Sequence, residues 1–225
     1  MKISLFFQAV AVVLFFGACG KKEPVRDAEF WYKKSLQELR LGQSNEIAWR
    51  SALGAVDQAL LLDKTRERYW VLKGSLLLKL GMPQMSINAF ESALRYATVP
   101  ALRAEVLNNY ACALAEVGDE ARACALWSDA LAIPTYQTPE AVYCNQGQYW
   151  LHKQEYVKAL SCFDRAIQIA GEYSDAYFYR ALAHYQLKQY RQANDVLGTL
   201  LAFDPDYQPA QALKREIAVK LSPKG

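Results

Sequence analysis

Apolar and polar positions along this chain recur with a helical period, and the recurrence itself repeats. In residues 107–147, LNNYACALAEVGDEARACALWSDALAIPTYQTPEAVYCNQG, the first 27 residues read as two short helices joined by a turn at 117–120. Small residues, Ala111, Ala123 and Ala130, mark the facing sides, with Trp127 as the bulky one. The arrangement returns at 74–94, 147–167 and 181–201. Taking the small residue of each first helix as a marker gives Gly74, Ala111, Gly147 and Ala181, at intervals of 37, 36 and 34 residues. Twelve positions after each marker stands Ser86, Ala123, Ala159 or Ala193. Four further on come Phe90, Trp127, Phe163 and Leu197, and three beyond those Ala93, Ala130, Ala166 and Leu200. Spacings of three and four keep these residues on one helical face. Antiparallel helices approach closely only where small side chains meet, and one bulky residue per pair fills the space behind.

An interval near 34 residues with this small–large–small pattern resembles the tetratricopeptide repeat. The resemblance implies an all-α solenoid, a right-handed superhelix of antiparallel helix pairs, with four repeats over residues 67–207. A degenerate pair precedes them over 28–63, read as helices at 27–41 and 45–62 with Ala52, Val56 and Ala59 in the small, large and small places. After Asp204-Pro205 the segment 208–221 reads as one last helix at 209–221. Its apolar side holds Ala212, Leu213, Ile217 and Leu221, as a terminal cap requires.

With 52% hydrophobic residues the array has ample material for a core shared between neighbouring repeats. The formal charge of +3 is nearly balanced, and no basic run exceeds a pair such as Lys21-Lys22, so no basic tract marks a nucleic-acid partner.

Residues 1–18 are of another material. Lys2 is followed by an apolar run interrupted only by Ser4 and Gln8, then by Gly17-Ala18-Cys19. This reads as a secretory signal, its apolar run shorter than the roughly 20 residues of a spanning helix. A small pair directly before a cysteine resembles the lipobox of bacterial lipoproteins, although Phe16 stands where leucine is usual. The resemblance implies cleavage before Cys19 and acylation of that cysteine. Residues 19–27 then form the lipidated cysteine and a polar tether. Gly20, in place of the aspartate that favours the inner membrane in enteric lipoproteins, implies the outer membrane, facing the periplasm. The competing reading is a soluble export signal with an incidental cysteine.

Cys112, Cys124, Cys144 and Cys162 each fit a repeat as small apolar residues, while an oxidising compartment also permits disulfides. Cys112 with Cys144 is the pair to test. No cysteine–histidine spacing suits a metal. His152 and His184 lie on first helices with no nucleophile motif beside them, and neither a phosphate-binding loop nor a paired-carboxylate constellation occurs. The expectation is a non-enzymatic protein without cofactor, metal or small-molecule substrate.

What remains is surface. In tetratricopeptide arrays the first helices line the concave side, and many members hold extended peptides or partner helices there. The inner positions, counted from each marker, are three and two before it, one after and four after. They give Val71, Leu72, Ser75 and Leu78; Asn108, Asn109, Cys112 and Ala115; Cys144, Asn145, Gln148 and Leu151; Phe178, Tyr179, Leu182 and Tyr185. The candidate partner-binding set is Asn108, Asn109, Asn145, Gln148, Phe178, Tyr179 and Tyr185. An amide both donates to and accepts from a peptide backbone, and the aromatics would form a wall. The alternative is that the asparagines only tie neighbouring repeats. The lysine/arginine set that clamps a terminal carboxylate in chaperone adaptors is missing from these positions.

LNNYA (107–111), the connection holding Pro134, Tyr136, Pro139 and Glu140, and then Asn145 and Gly147 resemble the type IV pilus pilotin lipoproteins. Departures are Ala111 in place of the family glycine, Cys112 after it, and the degenerate first pair. The resemblance implies an outer-membrane lipoprotein that binds subunits of the secretin, the pilus exit pore, and supports their assembly. It points to Asn108, Asn109, Tyr136 and Asn145. The second reading is a general periplasmic interaction scaffold in envelope maintenance.

Overall fold

The computed structural model describes residues 26–41 and 45–222. The signal, Cys19 and most of the tether lie outside the described residues. The described residues form eleven α-helices and no strand. They are α1 (Ala28–Leu41), α2 (Glu46–Leu62), α3 (Glu67–Lys79), α4 (Pro83–Tyr96), α5 (Pro100–Glu116) and α6 (Glu120–Leu131). There follow α7 (Pro139–His152), α8 (Tyr156–Ile169), α9 (Ser174–Gln186), α10 (Tyr190–Phe203) and α11 (Gln208–Leu221).

Local chemistry starts and stops them. Pro83, Pro100 and Pro139 open their helices, where the missing N–H costs nothing. Asn45 caps α2 by accepting from the Ala48 amide at 2.9 Å, and Asp119 caps α6 from Arg122 at 3.2 Å. Between the two helices of each of the four repeats, the residue seven after the marker takes a left-handed backbone: Gly81 (φ 70°), Gly118 (φ 81°), Gln154 (φ 61°) and Lys188 (φ 59°). The amide that follows it reaches back five residues, as from Asp119 to Leu114 and from Glu155 to Trp150, both at 2.9 Å. This satisfies carbonyls the helix end would leave open.

Every helix packs against its neighbours in sequence, and α3, α5, α7, α9 and α11 also touch the next odd-numbered helix in turn. The even-numbered helices make no comparable contact with one another among the described residues. The odd helices therefore form the inner wall of a curved stack and the even helices its outside. All the small marker residues are buried, and so are Phe90, Trp127, Phe163 and Leu197. Each fully buried large side chain of this kind contributes about 1.5–3 kcal/mol. A Cβ at Gly74 would stand 2.7 Å from the Phe90 ring, and one at Gly147 would come closer still to Phe163. Glycine is needed at those two markers because the ring occupies the space of a side chain. Ser86, at the small position opposite Gly74, gives its hydroxyl to the Gly74 carbonyl at 2.7 Å, so this buried polar group is satisfied.

The ends are built differently. At the front, Ser35 bonds the Ala52 carbonyl at 2.8 Å, and Glu29 accepts from Arg68 at 2.5 Å, joining α1 to α2 and α3. At the back, Leu213 and Ile217 of α11 cover Leu197 and Leu200. Tyr207 donates to Asp175 at 2.6 Å, and Tyr185 donates to Glu216. Ala212 and Leu221, expected on the covered side of this cap, are exposed instead. Among the described residues no helix is long and apolar enough to cross a membrane.

Candidate functional site

The odd helices bring equivalent positions of successive repeats side by side, and between α5 and α7 they leave a hollow of about 510 Å3. Cys112, Ala115 and Glu116 line it from α5, Asn145, Gln148, Tyr149 and His152 from α7, and Leu78 and Lys79 from α3. Trp127 of α6 reaches it from behind, its ring 5.9 Å from that of Tyr149. A second hollow, of about 370 Å3, lies between α1, α3 and α5. Val71, Leu72 and Val106 give it an apolar lining, with Tyr32, Glu67, Arg68 and Glu105 among its walls.

Of the candidate binding residues, Asn145 and Gln148 line the larger hollow. Asn108 does not stand at an exposed inner position. It is 5% exposed, and its side-chain oxygen accepts from the Asn145 amide at 3.1 Å. The helix turns this position toward the following repeat, and Cys144, three before the next marker, is buried for the same reason. Asn109 is partly exposed and lines neither hollow. Phe178, Tyr179 and Tyr185 are partly buried and engaged within the fold rather than forming a free wall. Phe178 packs on Tyr207 with ring centres 5.6 Å apart, Tyr179 stacks on Phe163 at 6.1 Å, and Tyr185 holds the cap through Glu216.

The rest of the LNNYA segment is also committed to the fold. Tyr110 is 4% exposed, donates to Glu91 at 2.8 Å and accepts from Arg122 at 2.6 Å, so that one hydroxyl links α4, α5 and α6. Burial, reinforced by the bond to Glu91, pushes its phenol up to about 12. Tyr136, in the connection before α7, folds onto the same core and interacts with Asn108 and Thr138. Asn108, Tyr136 and Asn145 are thus brought together, as a brace between two repeats.

Lys79, Glu116 and His152 fall outside the inner positions counted from the markers. Each lies five positions after its marker, one beyond the last inner position taken from the sequence. Their legible signal is that all three are polar. Gln148 gives its amide to the Cys144 sulfur at 3.5 Å, and Asn145 gives its amide to Asn108. Both residues keep an acceptor oxygen. The Trp127 indole N–H, in a ring 1% exposed, has no hydrogen-bond acceptor among the described residues, although the Cys112 thiol stands close enough to feel it. The hollow thus offers neutral acceptors with Lys79 and Glu116 of opposite charge, a lining suited to hydrogen bonds with a polypeptide.

The four cysteines of the described residues are unpaired. Burial pushes the Cys112 and Cys144 thiols up to about 12 and Cys162 to about 11, so at neutral pH they are protonated and poorly nucleophilic. His184 shares a bond with Gln189 at 2.7 Å, and His152 sits at the hollow's rim. Among the described residues no cluster of histidine, cysteine and carboxylate side chains could hold a metal ion.

The family model of the Fis1 C-terminal tetratricopeptide repeat matches residues 174–223. No curated protein is significantly similar to this chain in sequence. Solved structures are similar in shape. PilW, a widely conserved type IV pilus biogenesis factor, is 21% identical with a TM-score of 0.66, over 86% of this chain and 89% of PilW. PilF of Pseudomonas aeruginosa is 18% identical with a TM-score of 0.61, over 88% of this chain and 93% of that one. TTC0263, a tetratricopeptide protein of Thermus thermophilus, is 14% identical with a TM-score of 0.69, over 85% of this chain and 99% of that one. At such identities the likeness is one of fold. The fold is that of an all-α tetratricopeptide-repeat solenoid, as the markers led one to expect.

Proposed function

We propose that this chain is a lipid-anchored scaffold of the bacterial envelope that holds a partner polypeptide against its inner wall, and that the partner is a secretin subunit in type IV pilus biogenesis. The hollow between α5 and α7 carries this reading. It is open, it lies where successive first helices meet, and its lining of amide oxygens, Lys79 and Glu116 suits a polypeptide better than an apolar ligand. The signal-like start and Gly17-Ala18-Cys19 support a lipid anchor, and Gly20 after the cysteine supports the periplasmic face of the outer membrane. The resemblance of LNNYA and Asn145-x-Gly147 to pilotins, together with the fold likeness to PilW and PilF, supports the choice of partner.

Deletion of the gene tests the proposal. The expected result is loss of multimeric secretin from outer-membrane fractions, restored by the unaltered chain but not by Ala115→Trp, which would fill the hollow. Unchanged secretin multimers and intact pili after deletion would reject the partner.

A general periplasmic interaction scaffold is the second reading, and one observation favours it. Asn108, Tyr110 and Tyr136 of the pilotin-like segment are occupied inside the fold, so they serve the array whatever it binds. Capture of envelope proteins other than secretin by the purified array, with secretin assembly unaffected, would select this reading.

A further inference from the structure

Helix α1 carries two stripes, each with helical spacing. Ala28, Trp31, Tyr32, Ser35 and Leu39 face the array, packing with α2 and α3 or, for Ser35, bonding the Ala52 carbonyl. Phe30, Lys33, Lys34, Gln37 and Leu41 face outward and line a shallow hollow of about 460 Å3. No helix precedes α1 among the described residues to cover this stripe, whereas α11 closes the other end of the stack. Phe30 is 40% exposed and Leu41 70%. Lys33 is 73% exposed in its side chain and meets Glu29 only at 4.0 Å, while Glu29 is held by Arg68 at 2.5 Å. Lys34 lies over the Trp31 ring at 5.1 Å, and among the described residues Glu38 is the only acid along the hollow. Exposed apolar side chains set among lysines are the composition of a helix that lies in a membrane interface.

Position in the chain supplies the second argument. Ala28 stands nine positions after Cys19, and an extended chain spans at most 3.3–3.6 Å per residue, so α1 starts within about 30 Å of that cysteine. Lys21 and Lys22 lie in the interval.

We propose that the outward stripe of α1 is a second, non-covalent membrane contact, in which Lys33 and Lys34 meet the anionic headgroups of the leaflet while Phe30 and Leu41 enter its headgroup boundary. The array is then held at a fixed attitude to the membrane instead of swinging on its tether. The geometry rests on the lipid anchor proposed above; the stripe's own affinity does not.

The test uses unacylated protein beginning at Gly20, which keeps every helix described, sedimented with vesicles. Vesicles of phosphatidylcholine containing a quarter phosphatidylglycerol should retain it at least tenfold better than pure phosphatidylcholine, and added salt should release it. Lys33→Glu with Lys34→Glu, and separately Phe30→Ser with Leu41→Ser, should each lower retention at least tenfold at unchanged helix content. Lys158→Glu, on α8 and away from the stripe, should not. Equal retention by both kinds of vesicle, no retention, or stripe variants that bind like the parent would overturn the proposal. So would a dimer of the parent that Phe30→Ser with Leu41→Ser dissolves, because a second copy would then be the occupant. Retention only of a form beginning at Arg26 would name residues 20–25 as the cover and likewise overturn it. Mass measurement of Cys19 in protein taken from membranes reads the anchor separately, so either idea can fail without the other.

Discussion

Asn145 donates its side-chain amide to the side-chain oxygen of Asn108 across 3.1 Å, joining two first helices one repeat apart. Both residues belong to the segment that resembles pilotins, and the bond spends one on holding the other. Removing the donor leaves a buried carbonyl oxygen short of a partner, which typically costs about 1–3 kcal/mol. Asn145→Ala should therefore cost roughly 1–3 kcal/mol. Asn109→Ala, with no such tie, should stay within about 0.5 kcal/mol. Urea denaturation of the two variants measures the difference, and equal midpoints would mean that the brace contributes nothing.

Glycine has opposite meanings at two places in this chain. At 147 the Phe163 ring fills the space a side chain would take, whereas around Gly54, in the middle of α2, nothing lies within 4 Å of an added Cβ. Gly147→Ala should overpack the α7–α8 pair and cost about 1–3 kcal/mol. Gly54→Ala should stabilise α2 by about 0.5–1 kcal/mol, because glycine surrenders more backbone freedom in a helix. Thermal unfolding should separate them in sign.

The repeat register was legible because it is steric. A small marker and a bulky residue sixteen positions later describe a contact directly, and Gly74–Phe90, Ala111–Trp127 and Gly147–Phe163 all lie buried in the resulting core. The inner wall was only partly legible. Whether a residue three before the marker faces the hollow or the next repeat depends on how far each pair rotates on its neighbour, which one repeat's spacing does not contain. Asn108 and Cys144 fell inside for that reason. Tyr185 looks like groove surface in the sequence because its partner Glu216 is 31 residues away, on the cap.

The turn seven positions after each marker shows a further gap between sequence and backbone. Gly81 and Gly118 announce a left-handed residue, but Gln154 and Lys188 adopt the same backbone at φ 61° and 59°. A side chain there clashes with the following carbonyl at a cost of roughly 1–2 kcal/mol, and the fold tolerates it because the reverse hydrogen bonds of the helix end demand that conformation. Gln154→Gly and Lys188→Gly should therefore each raise stability by up to about 1 kcal/mol, part of the relief being offset by glycine's greater freedom in the unfolded chain. Gly118→Ala should lower it by a similar amount. If Gln154→Gly destabilises the protein in urea titration, its side chain makes a contribution that outweighs the strain.

Buried and half-buried thiols and phenols should make this array sensitive to alkali. In the unfolded chain a thiol ionises near 8.5 and a phenol near 10. In the folded protein burial holds Cys112 and Cys144 protonated up to about 12, and burial with the Glu91 bond holds Tyr110 there too. Each native pKa is raised, so between the unfolded and folded values the native state binds more protons than the unfolded one. Stability is then fully present below about pH 8 and declines as pH rises through the window, by at most about 1.4 kcal/mol per pH unit for each group. The melting temperature should be level from pH 6 to 8 and fall steadily from 9 to 11. Cys144→Ala removes one of these protons from a site 1% exposed and should flatten that fall. The same protonation predicts slow alkylation, since at pH 8 a thiol held near 12 has roughly a thousandth of the thiolate of an unperturbed one. Cys112, on the wall of the hollow, should react more slowly still when a polypeptide occupies it, which makes its labelling a direct readout of occupancy. Alkylation of Cys112 at the rate of a free peptide thiol, with or without partner, would contradict both its partial burial and its place at the binding surface.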